Sequence, residues 1–414
     1  MRRYPRYKNS GVTWLGDIPE GWEVKRLASY FEERKVKASD KEFAALSVTK
    51  SGILPQLDNV AKTSDGDNRK LVLVGDFVIN SRSDRKGSSG VSKYAGSVSL
   101  INIVLKPRGD IVGDFCNYLL KSNAFVEENY RNGRGIVADL WTTRYDEMKT
   151  IKVALPPLPE QEAIVRYLDE TTGKIDKAIA AEERLIELLQ ERKQIIINEA
   201  VGGNISRAEA QRRGELPKGW KVLPLKRIAR LKGGAGFPVQ KQGRANEAIH
   251  FIKVNALASH IDPTREYDTI SSDEAKEMQA KVFPKGSIVF AKVGAALLLH
   301  RFEQLPFDSC IDNNMMGLFD ITENIKWLRY ALSLLDFKTL VNPGAVPSVN
   351  QSQVGMMPIP LPPLPEQEEI VKYLDEETGK IDRAIEVKRR QIALLRERRE
   401  IIIDEVVTGK VKVA

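Results

Sequence analysis

The chain carries few of the residues on which covalent or metal chemistry usually rests. Of 414 residues, two are cysteine and three are histidine. Cys116 and Cys310 fall one in each half, in partly apolar surroundings and outside any CxxC pair, which points to buried free thiols rather than a disulfide or a metal pair. His250, His260 and His300 show no HExxH or other ligand spacing, so no metal is expected. There is no Walker-type GxxxxGK[ST], and Gly233, Gly234 and Gly236 in LKGGAGFP lack the spacing and context of a dinucleotide loop. The nearest string to the Asn-Pro-Pro-aromatic motif of amino-methyltransferases is Asn342-Pro343-Gly344, which does not qualify. Acidic residues are plentiful but form no recognisable nuclease cluster. The expectation is a protein without a catalytic site or cofactor of its own. No apolar run approaches the length needed to span a bilayer, and the basic start MRRYPRYKNSGVTWLG lacks the apolar core of a signal peptide. A cytoplasmic protein with no membrane partner is expected.

What the chain does have is a stretch that occurs twice. Residues 155–201 and 361–407 align without insertion or deletion at a fixed offset of 206, with 32 of 47 positions identical. Each copy opens LPPLPEQ and continues as a long, charged, apolar-striped segment. The entries to the two halves also correspond: Pro19, Gly21, Trp22 and Val24 in IPEGWEV match Pro217, Gly219, Trp220 and Val222 in LPKGWKV. The duplication therefore covers the whole chain. Four regions follow: 1–154, mixed α/β; 155–207, repeated helix; 208–358, mixed α/β; and 359–414, repeated helix. Residues 202–219 form a Gly-containing, charged connector.

Proline at the head of each copy sets the first turn of a helix. From there the apolar positions step by four and three. Ile175, Ile179, Ile186, Leu189 and Ile196 form one seam, and Ile381, Ile385, Ile392, Leu395 and Ile402 form the other. Glu182 and Lys193 interrupt the first seam, and Lys388 and Arg399 the second. Gly173 and Gly379 are points at which each helix could bend or break. Two long striped helices, each returning from its own domain, predict an antiparallel intramolecular coiled coil; there Glu182 either faces the region of Lys388 and helps to fix the register, or both side chains reach solvent. The fold class expected is α+β: two mixed α/β domains separated by the coiled coil, with a pseudo-two-fold internal repeat.

The net charge of +8 is uneven, at about +7 in 1–154, −3 in 155–207, +5 in 208–358 and −1 in 359–414. A positive excess confined to the two unlike regions points to a polyanionic partner. Those regions also hold the polar clusters suited to nucleic acid. In the first they are Arg82, Arg85, Lys86 and Tyr94; Arg131, Asn132 and Arg134; and Thr142, Thr143, Arg144 and Tyr145. In the second they are Lys241, Gln242 and Arg244; Lys292; His300 and Arg301; Asn313 and Asn314; and Ser348, Asn350 and Gln351. Arginine suits guanine, asparagine and glutamine suit adenine, and hydroxyls suit phosphates or either base. The turn–strand–exit strings GDFVINSR and GSIVFAK align, and Arg82 and Lys292 are read as matching exits.

The order of unlike domain, PPLPEQ-led helix, unlike domain, PPLPEQ-led helix resembles the specificity (S) subunit of type I restriction–modification systems. The motifs carrying the resemblance are LPPLPEQEAIVRYLDETTGKID and LPPLPEQEEIVKYLDEETGKID, the PxGWxV entries and the two turn–strand strings. It covers essentially the full length. The resemblance implies that each unlike domain is a target recognition domain reading one half of a bipartite, asymmetric site in double-stranded DNA. The helices would set the spacing and dock two modification (methyltransferase) subunits. The chain would be non-catalytic, with S-adenosylmethionine and ATP on partner subunits and restriction subunits joining for cleavage. The competing expectation is a stand-alone regulator that binds a bipartite site without partners.

Overall fold

The computed structural model describes residues 2–56, 66–109, 111–135, 141–202, 217–335, 337 and 346–413. Residues 203–216, which hold most of the connector and the expected boundary at 207/208, lie outside the described residues, as does Asn342-Pro343-Gly344. The chain divides into two compact units, Met1–Arg184 with Lys388–Ala414, and Leu185–Val387. Each unit therefore holds one unlike domain together with half of each repeated helix.

In the first unit a four-stranded antiparallel sheet runs in the order Ser89–Val91, Phe77–Asn80, Asn102–Pro107, Phe31–Glu33. Its centre is the apolar run of GDFVINSR, with Phe77, Val78 and Ile79 buried and Ile79 opposite Ile103. The buried carboxylate of Asp76, just before that strand, accepts from Nε and Nη2 of Arg34 at 2.7 and 2.9 Å. A three-stranded sheet, Gly96–Ser99, Arg69–Val72, Lys37–Ala38, lies beside it in sequence.

The second unit repeats the four-stranded plan. Its order is Glu303–Gln304, Ile288–Ala291, Met315–Phe319, Arg230–Gly233, again antiparallel throughout. Matched strand by strand, this is the same sheet, so the duplication extends into domains whose sequences have diverged. A second sheet pairs Ile249–Ile252 antiparallel to Asp268–Ile270 and parallel to Ser309–Ile311.

The repeated stretches are single helices, Leu158–Gly202 and Leu364–Val407. Each continues through its glycine, so neither Gly173 nor Gly379 breaks it. At about 1.5 Å per residue each is roughly 66 Å long. In the first unit the early part of the first helix runs antiparallel to the late part of the second. Ile175, Ile179, Ile392 and Ile402 are buried there. Glu182 meets Lys388 at 3.1 Å, Glu183 meets Arg396 at 2.9 Å and Asp176 meets Arg399 at 3.1 Å. In the second unit Ile381 and Ile385 are buried, while Ile186, Leu189 and Ile196 are half-buried. Lys193 meets Asp382 at 2.7 Å. At the offset of 206, Asp382 is the repeat of Asp176 and Arg399 the repeat of Lys193, so the same positional pair closes in each unit.

The stripe is wider than a two-helix seam needs. Ile197 and Val201 are buried in the core of the second mixed α/β domain with Leu225, Trp327 and Ile359. In the first unit the chain's end is built into its beginning. The Lys412 N–H donates to the Arg2 carbonyl at 2.9 Å. The Lys410 ammonium donates to the carbonyls of Leu15 and Asp17 at 2.6 Å each. Both cysteines are free and buried, and burial alone raises both thiols, that of Cys310 to about 11.

Candidate nucleic-acid interface

Each domain is seated on its helix by the same two contacts. The glutamine of the PPLPEQ motif is buried in both copies, Gln161 at 1% exposure and Gln367 at 0%. The Gln161 Oε1 accepts from the Val112 N–H at 2.9 Å, and its amide donates to the Pro156 carbonyl at 3.0 Å. The Gln367 Oε1 accepts from the Asn324 N–H at 3.0 Å, and its amide donates to the Pro362 carbonyl at 2.9 Å and the Glu323 carboxylate at 2.8 Å. Val112 and Asn324 each precede the first turn of a nine-residue domain helix, Gly113–Lys121 and Ile325–Ser333. From those helices the Tyr118 hydroxyl donates to Asp169 at 2.7 Å and the Tyr330 hydroxyl to Asp375 at 2.8 Å. Burial is the first cause of the raised hydroxyl pKa in both, and pushes Tyr118 up to about 12. These residues were not singled out in sequence, because a glutamine in a charged helix reads as solvated. The signal available was its identity in both copies.

In the first domain the buried strand Phe77–Asn80 delivers Ser81–Lys86 to the surface. The Thr143 N–H donates to the Ser81 carbonyl and the Ser83 N–H to the Trp141 carbonyl, both at 3.0 Å. Thr142 and Arg134 exchange backbone bonds at 2.8 and 3.0 Å. Three segments distant in sequence are thereby laced into one surface, which carries Arg82, Arg85, Arg131, Arg134 and Arg144, all exposed. Gly133 is required there: a Cβ would lie 2.4 Å from the Trp141 indole nitrogen, which donates to the Tyr130 carbonyl at 2.8 Å. Lys86 pairs with Glu127 at 2.7 Å and lies over the Tyr130 ring at 4.4 Å. Arg131 and Arg134 have carboxylates at 3.9 and 3.4 Å, but their side chains are 68% and 83% exposed, which leaves guanidinium N–H groups open to an anion.

Four residues of the sequence-derived cluster are placed differently. Thr143 is buried, its hydroxyl donating to the Asn129 carbonyl at 2.9 Å. The Tyr145 hydroxyl donates to the Phe31 carbonyl at 3.0 Å, and the Asn132 amide folds back on Glu128. Tyr94 is exposed but apart: strand Ser89–Val91 pairs antiparallel with Phe77–Asn80, which carries Tyr94 to the end of the sheet opposite Arg82.

In the second domain Lys292–Gly294 leave the corresponding strand. The Val349 N–H donates to the Lys292 carbonyl at 3.0 Å, the Lys292 N–H to the Asn314 carbonyl at 2.8 Å and the Gly294 N–H to the Pro347 carbonyl at 2.8 Å. Lys292, Asn313, Asn314 and Ser348 are thus brought together, with Arg301 and His300 at the far end of the loop that follows. Asn350 caps the short helix Gln351–Gly355 by accepting from the Gln353 N–H, and Gln351 is exposed on its first turn. The match of Arg82 with Lys292 is off by one residue. The Ser81 carbonyl accepts from Thr143 as the Lys292 carbonyl accepts from Val349, so Lys292 corresponds to Ser81 and Arg82 to Val293.

Lys241, Gln242 and Arg244 are tied up locally. Lys241 pairs with Glu274 at 3.3 Å and Glu277 at 2.8 Å, and Arg244 pairs with Glu274 at 2.7 Å. Gln242 bridges Lys253 and the Phe237 carbonyl. A backbone N–H bond from Ser271, then Arg244, hold the Glu274 carboxyl down at about 2. Charge satisfied inside the domain contributes little to a polyanion contact. Among the described residues no group of three or more His, Cys, Asp or Glu side chains could hold a metal ion, and no helix is long and apolar enough to cross a membrane.

The family model described as type I restriction modification DNA specificity domain matches residues 217–395, from the proline entry of the second half into the second long helix. The putative type I restriction enzyme MjaX specificity subunit of Methanocaldococcus jannaschii is 23% identical to the chain, covering 100% of it and 99% of the relative. The type I restriction enzyme EcoDI specificity subunit of Escherichia coli is 24% identical, covering 70% of this chain and 68% of its own. A chain solved in work on complex assembly and conformational transition of the type I R-M system superposes with a TM-score of 0.72 at 17% identity, covering 95% of this chain and 99% of its own. That likeness is one of fold. The curated relatives named here are specificity subunits of restriction enzymes, which gives no support to a stand-alone regulator. Twice-built and matched along its whole length, the chain is similar to the specificity subunits of type I restriction enzymes, and its residues 217–395 match that family's DNA specificity domain.

Proposed function

We propose that this chain is the DNA-reading, non-catalytic subunit of a cytoplasmic type I restriction–modification complex. One recognition domain reads each half of a bipartite, asymmetric site. The observation that carries the reading is the contrast within the repeat. The seats at Gln161 and Gln367 and the order of the four-stranded sheets are the same, while the surfaces they present differ. An asymmetric site needs unlike readers; two equivalent partners need like docks. The docks we assign are the helix faces that carry exposed Leu188 and Ile195 in one copy and their repeats Leu394 and Ile401 in the other. Each would take one modification subunit. S-adenosylmethionine and ATP belong to the modification and restriction subunits, and this chain takes no cofactor.

The test is co-expression with a modification subunit, followed by mapping of methylated adenines in the host DNA. Exchange of residues 1–154 for those of a relative is expected to change one half-site and leave the other and the spacer unchanged. A swap that altered both half-sites, or methylation independent of this chain, would overturn the proposal.

A further inference from the structure

We infer that the Leu298–Leu299 tip of the second recognition domain is a sequence reader that packs against thymine 5-methyl groups in the major groove. This rests on the DNA-reading role proposed above and names one of its specificity determinants.

The loop Gly294–Arg301 leaves the sheet immediately after Lys292. It begins at Gly294 with φ of 78°, makes a single 3-10 turn over Ala295–Leu299 and ends at His300, a non-glycine residue at φ of 51°. Leu297 in that turn is 2% exposed and belongs to the core that contains Phe290, Phe302 and Phe337. Its neighbours Leu298 and Leu299 are 37% and 56% exposed. The turn is fastened on both sides. The Gly294 N–H is bonded to Pro347, and Arg301 Nη1 donates to the Leu257 carbonyl at 3.0 Å. With Leu297 as the anchor, the two leucines are held outward. The scaffold does not require this: the corresponding loop of the first domain is the polar Ser83–Arg85.

The surroundings fit a polyanion. Neither Lys292 nor Arg301 has a carboxylate within salt-bridge distance among the described residues. Asn313 and Asn314 are exposed, and the Asn314 carbonyl accepts from the Lys292 N–H. The nearby Asp312 is turned inward, its oxygens accepting from the N–H groups of Val254 and Asn314 at 2.7 and 2.8 Å. An apolar tip on a loop bounded in sequence by Lys292 and Arg301 matches a feature of the duplex. In the major groove the thymine methyl is the apolar group among base-edge donors and acceptors, and phosphates flank it.

The test uses the assembled complex with its modification subunits. The half-site is the one that changes when residues 208–358 are exchanged. Duplexes carry that half-site with each thymine replaced in turn by deoxyuridine, which removes only the methyl. At least one replacement is expected to weaken binding by roughly fourfold, the effect of one buried methyl group. A Leu298→Ala/Leu299→Ala variant should bind the thymine duplex correspondingly less well and should no longer distinguish thymine from deoxyuridine there. Replacements in the other half-site serve as the control. The inference is overturned if no deoxyuridine affects the intact complex, if the half-site holds no thymine, or if the variant keeps full discrimination. Kinking of the duplex without methyl dependence would make the tip a wedge between base steps and also overturn it. Absence of any site-specific binding would instead overturn the DNA-reading role itself.

Discussion

Replacing Gln367 is the sharpest test of how a recognition domain is fixed to its helix. The side chain is fully buried and satisfies the Asn324 N–H and the Pro362 carbonyl at 3.0 and 2.9 Å. Gln367→Ala leaves both groups buried and unpaired. At about 1–3 kcal/mol for each orphaned group, the second unit should lose roughly 2–5 kcal/mol. Hydrogen-exchange mass spectrometry across a urea series reads this locally. Protection of the helix Ile325–Ser333, whose cap is Asn324, should fall first and furthest. Gln161→Ala should do the same to Gly113–Lys121, since Gln161 bonds Val112 and Pro156 in the same way. Gln367→Glu adds a pH signature. A carboxylate there cannot donate to Pro362 and faces the Glu323 carboxylate, now 2.8 Å from the amide nitrogen. Burial and that neighbour raise its folded pKa above the unfolded value of about 4.3. Stability from the protonated form is then fully present below the unfolded pKa and is lost as pH rises through the folded one. The variant should therefore approach the parent near pH 4 and be weakest at neutral pH. A loss under about 0.5 kcal/mol for Gln367→Ala, or a Gln367→Glu penalty independent of pH, would refute the seat.

Lys388→Glu places like charges where Glu182 and Lys388 now meet at 3.1 Å, both about a quarter exposed. The urea midpoint should fall by the equivalent of about 1 kcal/mol, and the reciprocal Glu182→Lys should restore it. In Gly173→Ala the added methyl meets nothing within 4 Å in an unbroken helix, so thermal unfolding should show a gain of about 1 kcal/mol. Glu274→Gln removes a carboxylate held down at about 2, first by the Ser271 N–H and then by Arg244. Its stabilisation is present above the unfolded pKa and lost as pH falls through about 2. The variant should unfold more easily at pH 7 and like the parent near pH 2, as followed by circular dichroism.

The scaffold was legible because it repeats and because helical periodicity survives in one dimension. The seam of Ile175, Ile179, Ile381 and Ile385 follows from spacing alone, whereas spacing left Glu182 and Lys388 either paired or solvated and the structure pairs them. The sheets were less so. A strand reveals its burial through composition, as Phe77–Asn80 does, but its neighbours and end are set by partners far along the chain. Tyr94 and Arg82 look like one cluster in sequence, yet antiparallel pairing sends them to opposite ends. Side-chain burial was harder to see: Thr143 reads as solvent-facing and is buried, and nothing in one dimension marks Gln161 and Gln367 as buried. Lys241 and Arg244 read as free cations because Glu274 and Glu277, about thirty residues on, gave no sign of returning to them.

The first unit is discontinuous, with residues 185–387 inserted between its parts. Those 203 residues take about 10–40 s to synthesise at 5–20 residues per second. During that interval the nascent first domain lacks both the late helix that covers Ile175 and Ile179 and the lysine that fills the carbonyls of Leu15 and Asp17. The domain made first is thus finished only when residues 388–413 are added. A chain that ends soon after residue 387 is expected to hold a whole second unit and a first unit more open to limited proteolysis than that of the parent.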